Sequence, residues 1–312
     1  MSTTVVASAY GGPDVLTVID ESVPDPGEGQ VLVEFTAVGV NPVDYKVYGG
    51  AFGEDPDALP LHLGREGAGV VVAVGPNAIG PAGPIGVGDE VIVYPGSGTY
   101  AKRALQAADS VLPKSTLSWE QAGGLLLTGS TAYDTVETTG VSEGDVVLIH
   151  GAAGGVGLLA VQLARLRGAT VIGTARESSH EYLRSIGAIP VTYGDGLVDR
   201  VRAAAPEGID AAIDTVGTDE AVDVSLQLVA DKSRIATIAA FGRVASTGIV
   251  ALGAGNPASA ELRNRVRTEL IDLVAGGQIT NVIAKTFPLT DAAKAHEELQ
   301  KSHPIGKFVL IP

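Results

Sequence analysis

Val146-Val147-Leu148-Ile149-His150-Gly151-Ala152-Ala153-Gly154-Gly155-Val156-Gly157 is a buried-strand pattern running straight into glycines at three-residue spacing, and nothing else in the chain constrains its fold as tightly. Four consecutive apolar residues suit a parallel strand covered on both faces. The glycines then let the backbone turn sharply, approach a pyrophosphate and pack a helix against the strand. Residues 158–167 supply that helix, with its N-terminus aimed at the phosphates. The triplet alone carries little weight among 41 glycines; the strand before it and the helix after it make the pattern specific. Gly151, Ala152, Gly154, Gly155, Val156 and Gly157 are therefore candidate cofactor-binding residues.

The turn needs a domain around it, and 312 residues at 45% hydrophobic content suffice for two domains with cores of their own. Apolar runs are interrupted well before 18 residues, and residues 1–10 lack a basic start and a long apolar stretch. A cytoplasmic protein with no membrane partner is expected. The chain has no cysteine, which excludes disulfides, thiolate metal sites and a cysteine nucleophile. Five scattered histidines make a His and carboxylate zinc site a poor fit, so no metal is expected. A net charge of −15 with no basic run argues against nucleic acid as a partner.

Over 5–111 the chain reads as short strands and frequent turns, with strands at 30–38, 67–74 and 90–94. At Ser118-Trp119-Glu120-Gln121 a helix start appears and the texture changes to alternating strand and helix. Strands are predicted over 146–149, 170–174, 190–192, 209–214, 234–238 and 249–252, with helices over 158–167, 179–186 and 220–228. Such alternation implies parallel βαβ units, hence an α/β fold: a six-stranded doubly wound sheet of the Rossmann type. A long helix over 260–275, a short one over 291–301 and a last strand over 307–311 follow. That strand is expected to return to the first domain. The predicted boundaries are 1–117 with 279–312 for the discontinuous β-rich domain and 118–278 for the nucleotide-binding domain.

An acid at the end of the second strand would select NAD by bonding the ribose 2′-hydroxyl. Here Thr174 ends the strand, and Arg176 with Ser178 offers a cation and a hydroxyl suited to a 2′-phosphate. NADPH is the predicted cofactor. The competing reading makes Arg176 a solvated helix-start residue paired with Glu177, or lets Glu177 act as the ribose acid after a register shift. Tyr193, after the third strand, is a candidate to close over the adenosine phosphate. Val216, in Asp214-Thr215-Val216-Gly217, and Phe241 with Gly242 lie on loops after the fourth and fifth strands, where ligands of doubly wound sheets bind. Asp214 equally suits a helix cap.

Several ordered segments together resemble the zinc-independent quinone oxidoreductases of the medium-chain dehydrogenase/reductase superfamily. They are Gly11-Gly12-Pro13-Asp14-Val15-Leu16, Val38-Gly39-Val40-Asn41-Pro42-Val43-Asp44, the run from Gly64-Arg65-Glu66-Gly67 to Val74-Gly75, and Val87-Gly88-Asp89-Glu90-Val91. Leu127-Thr128-Gly129-Ser130-Thr131-Ala132-Tyr133, the glycine turn, Ala295-His296 and Ile305-Gly306-Lys307-Phe308-Val309-Leu310 complete the match. The resemblance implies a GroES-like catalytic domain beside the Rossmann domain, NADPH as hydride donor and a homodimer through the Rossmann sheet edge. Zinc-dependent relatives carry a histidine before the glutamate where this chain has Arg65. Without a Lewis acid an alcohol is not activated, whereas a quinone or α,β-unsaturated carbonyl accepts hydride at carbon with the charge delocalised onto oxygen. Such a small molecule is the predicted substrate.

By the resemblance Asn41 lines the nicotinamide cleft, donating to an acceptor carbonyl or holding its own loop. Tyr45, Lys46 and Tyr48 follow as candidate proton or hydrogen-bond donors, with solvent as the alternative; read as an extended segment, they send Tyr45 and Tyr48 to opposite faces. The resemblance puts Thr128 and Thr131 against the nicotinamide; the alternative is helix packing. The tyrosine that enoyl-thioester reductases carry falls at Phe52, which weakens that activity. His150 and His296 read as packing residues, and His62, His180 and His303 show no metal spacing, although His180 stands near Arg176. The glycine-rich stretch 251–256 is a candidate wall of the acceptor pocket. The alternatives to an NADPH reductase are an NADPH-binding sensor or structural protein without turnover, and an enoyl-thioester reductase.

Overall fold

Val147, Leu148 and Ile149 have no exposed surface, and their strand, Val146–His150, lies in the middle of a six-stranded parallel sheet. The structure is a computed structural model that describes residues 1–253, 256–301 and 304–312. His303 and part of the glycine-rich stretch 251–256, namely Ala254 and Gly255, lie outside the described residues. The chain forms two compact units, Met1–Leu127 with Ile271–Pro312, and Thr128–Leu270.

In the second unit the strand order is Ile189–Val191, Thr170–Thr174, Val146–His150, Ala211–Asp214, Ile235–Thr237, Val250–Ala251. Every pair is parallel. The order reverses direction beside Val146–His150, so the crevice at the carboxyl ends opens next to the glycine turn. Helix Gly155–Leu166 starts inside the turn and buries Leu158, Leu159, Val161 and Leu163.

Two helical predictions are corrected. The helix over 260–275 is two helices, Pro257–Arg265 and Arg267–Ala275. Arg267 is buried at the junction, where its Nε donates to the Asn264 carbonyl, while Val266 N still donates to the Leu262 carbonyl and the Val266 carbonyl accepts from Leu270 N. Helix Leu197–Ala204, absent from the sequence reading, links the third and fourth strands. It starts at Gly196 with no side-chain cap and buries only Leu197 and Val201 completely, so its sequence signal is weak.

The other unit is β-rich. Seven strands form one sheet, in the order Val111–Pro113, Glu90–Val93, Gly67–Val74, Gln30–Val40, Lys307–Ile311, Ile283–Pro288, with Arg103–Ala107 also paired to Gln30–Val40. Val31, Val33 and Phe35 point inward at alternate positions, and Phe308 and Leu310 join the same core. The last strand, Lys307–Ile311, runs antiparallel to Gln30–Val40. Chain end and chain start therefore build one sheet. Ser118 accepts from the Gln121 backbone and opens helix Trp119–Gly123 as its sequence requires. That helix belongs to the β-rich unit because Gly123 approaches Ala37 so closely that a Cβ there would meet its carbonyl at 2.6 Å.

The segment after Asn41 is also corrected: it is helix Pro42–Tyr48, not an extended run. Pro42 fits the first helical position, and Asp44 accepts from the Asn41 backbone N–H at 2.9 Å, satisfying an orphan donor. Tyr45 and Tyr48 are three residues apart on one helix, hence on neighbouring faces rather than opposite ones.

Candidate functional site

Gly151 adopts φ +73°, a conformation that favours glycine, and a Cβ there would meet Thr215 Oγ1 at 2.6 Å. At Gly157 a Cβ would lie 2.8 Å from Ala152 Cα and 2.9 Å from the Gly151 carbonyl carbon. Both positions are closed to any side chain. The Gly154 N–H donates to the Gly151 carbonyl at 3.0 Å, closing the turn, and Gly154 caps helix Gly155–Leu166. Thr174 is buried and braces the turn, accepting from Ala152 N at its carbonyl and from Gly151 N at Oγ1, 3.2 Å. Thr215 Oγ1 donates to the His150 carbonyl from the other side. The residues present fit a dinucleotide pyrophosphate: backbone only, at a helix N-terminus, with no side chain in the way.

Arg176, Glu177 and Ser178 are all exposed on the turn after Thr170–Thr174, where residues 177–179 form a short 3₁₀ helix. Tyr193 is half exposed, and its loop is gripped from two sides. Arg200 donates to the carbonyls of Thr192, Gly194 and Asp195, each at 2.8 Å, and Glu220 accepts from Gly194 N. The loops after the fourth and fifth strands are tied by Asp214. One carboxylate oxygen accepts from Val216 N and Gly217 N, and the other from Thr237 Oγ1, which accepts from Ala239 N and Ala240 N. Asp214 thus organises both loops rather than capping a helix, leaving Val216 and Phe241 about half exposed. Thr128 and Thr131 are nearly buried on helix Leu126–Thr138. His150 is buried and burial lowers its imidazole to about 4, so it is neutral; its Nε2 has no hydrogen-bond partner among the described residues.

In the β-rich unit Asn41 has no exposed surface. Its Nδ2 donates to Glu66 Oε1 at 3.0 Å, and its Oδ1 accepts from Lys307 Nζ. Lys307 and Glu66 form a buried ion pair at 3.1 Å. A second buried array runs from Tyr48. Its Oη lies 2.7 Å from His296 Nδ1, His296 Nε2 lies 2.9 Å from Tyr100 Oη, and Tyr100 donates to Asp44 Oδ2 at 3.0 Å. A phenol has one hydrogen, so with Tyr100 donating to Asp44 the neutral imidazole carries its proton on Nε2 and accepts from Tyr48 at Nδ1. Burial lowers His296 to about 4 and raises Asp44 to about 6. Tyr48 is therefore engaged inside the unit, stacked on His296, whereas Tyr45 and Lys46 on the same helix keep partial exposure.

Sequence reasoning missed Thr215 and Thr237, polar residues at strand ends, and Arg200 and Glu220, which lie inside helices Leu197–Ala204 and Asp219–Leu228. It also missed Lys307 and Tyr100 as partners of the Asn41 segment. The chain has no cysteine, and among the described residues no group of three His, Asp or Glu is placed to hold a metal ion.

Two family models match, the alcohol dehydrogenase GroES-like domain over residues 27–133 and the zinc-binding dehydrogenase over residues 155–259. The quinone oxidoreductase 1 of Escherichia coli (strain K12) is 31% identical, with 100% of each chain covered. A 2-haloacrylate reductase from Burkholderia sp is 34% identical over 97% of this chain and 96% of its own. The crystal structure of Escherichia coli quinone oxidoreductase complexed with NADPH superposes with a TM-score of 0.87 at 29% identity, covering 99% of this chain and 100% of that one. With this agreement along its length, the chain belongs to the quinone oxidoreductase family of the medium-chain dehydrogenase/reductase superfamily.

Proposed function

We propose that the protein is an NADPH-dependent, zinc-independent reductase of quinones or α,β-unsaturated carbonyls. The observation that carries the reading is the side-chain-free cradle at Gly151 and Gly157, set at the carboxyl edge of the sheet with Arg176 and Ser178 exposed after the next strand. The relatives support it: one solved structure holds NADPH, and a 2-haloacrylate reductase is named for a conjugated acceptor.

NADPH, when bound, supplies a hydride. The 151–157 turn offers backbone N–H groups and a helix N-terminus to the pyrophosphate. Arg176 and Ser178 meet the 2′-phosphate, while Tyr193, Val216, Phe241 and Gly242 supply apolar walls from loops held by Arg200, Glu220, Asp214 and Thr237. Asn41 acts by holding its loop, since both ends of its amide are already bonded. Hydride addition leaves negative charge on the acceptor oxygen, and a proton completes the reduction. Tyr45, partly exposed on helix Pro42–Tyr48, carries a phenol O–H suited to steady that oxygen. The assembly is a homodimer through strand Val250–Ala251, which among the described residues pairs on one side only.

The test follows NADPH absorbance with a panel of ortho- and para-quinones and simple enones, before and after chelator treatment. Turnover that survives the chelator and favours NADPH over NADH is expected. Tight NADPH binding with no turnover across the panel would sink the reductase reading in favour of a non-catalytic binding protein. Light scattering that gives the mass of one chain removes the dimer.

A further inference from the structure

Lys307 lies on the closing strand, outside every segment assigned to cofactor binding, yet its buried ammonium is a hub. It pairs with Glu66 Oε1 and donates to Asn41 Oδ1. Glu66 in turn accepts from Asn41 Nδ2 at Oε1 and from the Leu127 backbone N–H at Oε2, 2.9 Å, while its own carbonyl accepts from Thr99 Oγ1. The surrounding backbone is shaped to admit these side chains. A Cβ at Gly124 would sit 2.9 Å from Lys307 Cγ, and one at Gly39 would sit 2.8 Å from Glu66 Cγ and Cδ.

A buried ion pair is a poor device for stability alone, because its desolvation offsets most of the attraction and an apolar pair of similar size does as well. It is a good device for geometry. An asparagine amide with a cation on its oxygen and a carboxylate on its nitrogen has one orientation only. The Asn41 backbone N–H is held separately by Asp44, so both ends of the residue that starts helix Pro42–Tyr48 are fixed. The same glutamate fixes Leu127 in the first turn of helix Leu126–Thr138, directly before Thr128.

We propose that Lys307 is a positioning residue of the reductase: from the last strand, through Glu66 and Asn41, it holds the start of helix Pro42–Tyr48 and the backbone at Leu127 in one arrangement. This rests on the reductase reading above. Removing Lys307 alone leaves Glu66 buried and unpaired and destabilises the protein, which a purely structural role would do as well. The informative variant is therefore Glu66→Gln/Lys307→Met, which removes both charges; a glutamine has one carbonyl oxygen, so it accepts from Asn41 Nδ2 or from Leu127 N but not from both, and Glu66→Gln alone is the reference that separates this loss from that of Lys307.

The double variant and the wild type are compared by thermal unfolding, by hydrogen exchange of peptides covering residues 39–45 and 125–129, and by turnover. The expected result is a Tm well above that of Lys307→Met. In both peptides exchange is faster than in wild type, and kcat falls about tenfold with the KM for NADPH within about twofold, a loss of about 1.4 kcal/mol of transition-state stabilisation. Wild-type exchange in those peptides overturns the proposal, and so does recovery of kcat together with Tm. Should the double variant not fold, Lys307→Gln, whose shorter side chain cannot serve Glu66 and Asn41 at once, is judged by the same exchange and kcat criteria. A wild type that turns over no acceptor defeats the reductase reading, and the exchange measurement still decides whether Lys307 positions these segments.

Discussion

The two units build their functional surfaces in opposite ways. In the α/β unit the proposed cofactor surface consists of backbone amides and half-exposed apolar side chains, Tyr193, Val216 and Phe241, while the polar side chains Asp214, Thr237 and Arg200 hold the loops from behind. In the β-rich unit the polar groups themselves are buried: Glu66, Lys307, Asp44 and His296 sit at the core with little or no exposure. A surface made of backbone tolerates most changes except at glycine. One made of buried charges depends on each partner and on pH.

The largest expected effect tests the charged core. In the folded protein Asp44 titrates near 6, above its ordinary carboxyl range, so its contribution to stability is greatest in acid and is lost as pH rises through about 6. His296 titrates near 4, below its ordinary range, so its contribution is present above about 6.5 and is lost as pH falls toward 4. The two oppose each other over nearly the same interval. Replacing one exposes the other: relative to wild type, Asp44→Asn should lose on the order of 3 kcal/mol between about pH 6.5 and 4, and His296→Gln should gain about as much. Urea unfolding at a series of pH values reads both slopes. Parallel wild-type and variant curves would break the contrast between a pH-sensitive core and a pH-indifferent turn.

Next is the glycine turn. Gly157→Ala places a methyl against Ala152 Cα and the Gly151 carbonyl, a backbone collision that side-chain movement cannot relieve. Destabilisation of about 1–3 kcal/mol is expected. Titration by cofactor fluorescence should show NADPH and NADH weakened alike, because the pyrophosphate is common to both. Smaller still is Arg176→Ala, which should weaken NADPH about tenfold, roughly 1.4 kcal/mol, and spare NADH. Equal loss for both cofactors would return Arg176 to a solvated surface residue. The least effect is expected from Ser178→Ala, a loss of about 0.5–1.5 kcal/mol in NADPH binding for one hydrogen bond. Titrating the Arg176→Ala/Ser178→Ala pair shows whether the two losses add.

Strand Val146–His150, the turn and the sheet order beside it were legible because each signal is local: an apolar run, a glycine that admits no Cβ, an alternation of helix and strand. The helix start at Ser118 was legible for the same reason. Helix Pro42–Tyr48 was legible in principle, since Pro42 and Asp44 suit a helical first turn, but reading the segment by alternation obscured it. The buried polar array of the β-rich unit was not legible at all, although its strands and the return of the last one were. Tyr48 and His296 are 248 residues apart, and Lys307 and Asn41 are 266 apart, so no local pattern connects them.

The amino-acid sequence by itself determined the backbone of the glycine turn, its strand and its helix, because short-range sterics and periodicity decide those features. Only the tertiary structure decided which side chains surround Asn41, that Tyr48 faces inward onto His296, and that a lysine from the last strand neutralises Glu66. Those outcomes follow from strand pairing between the ends of the chain. A buried charge acquires its partner only when the sheet closes, and its energy depends on an environment that its neighbours in sequence do not supply.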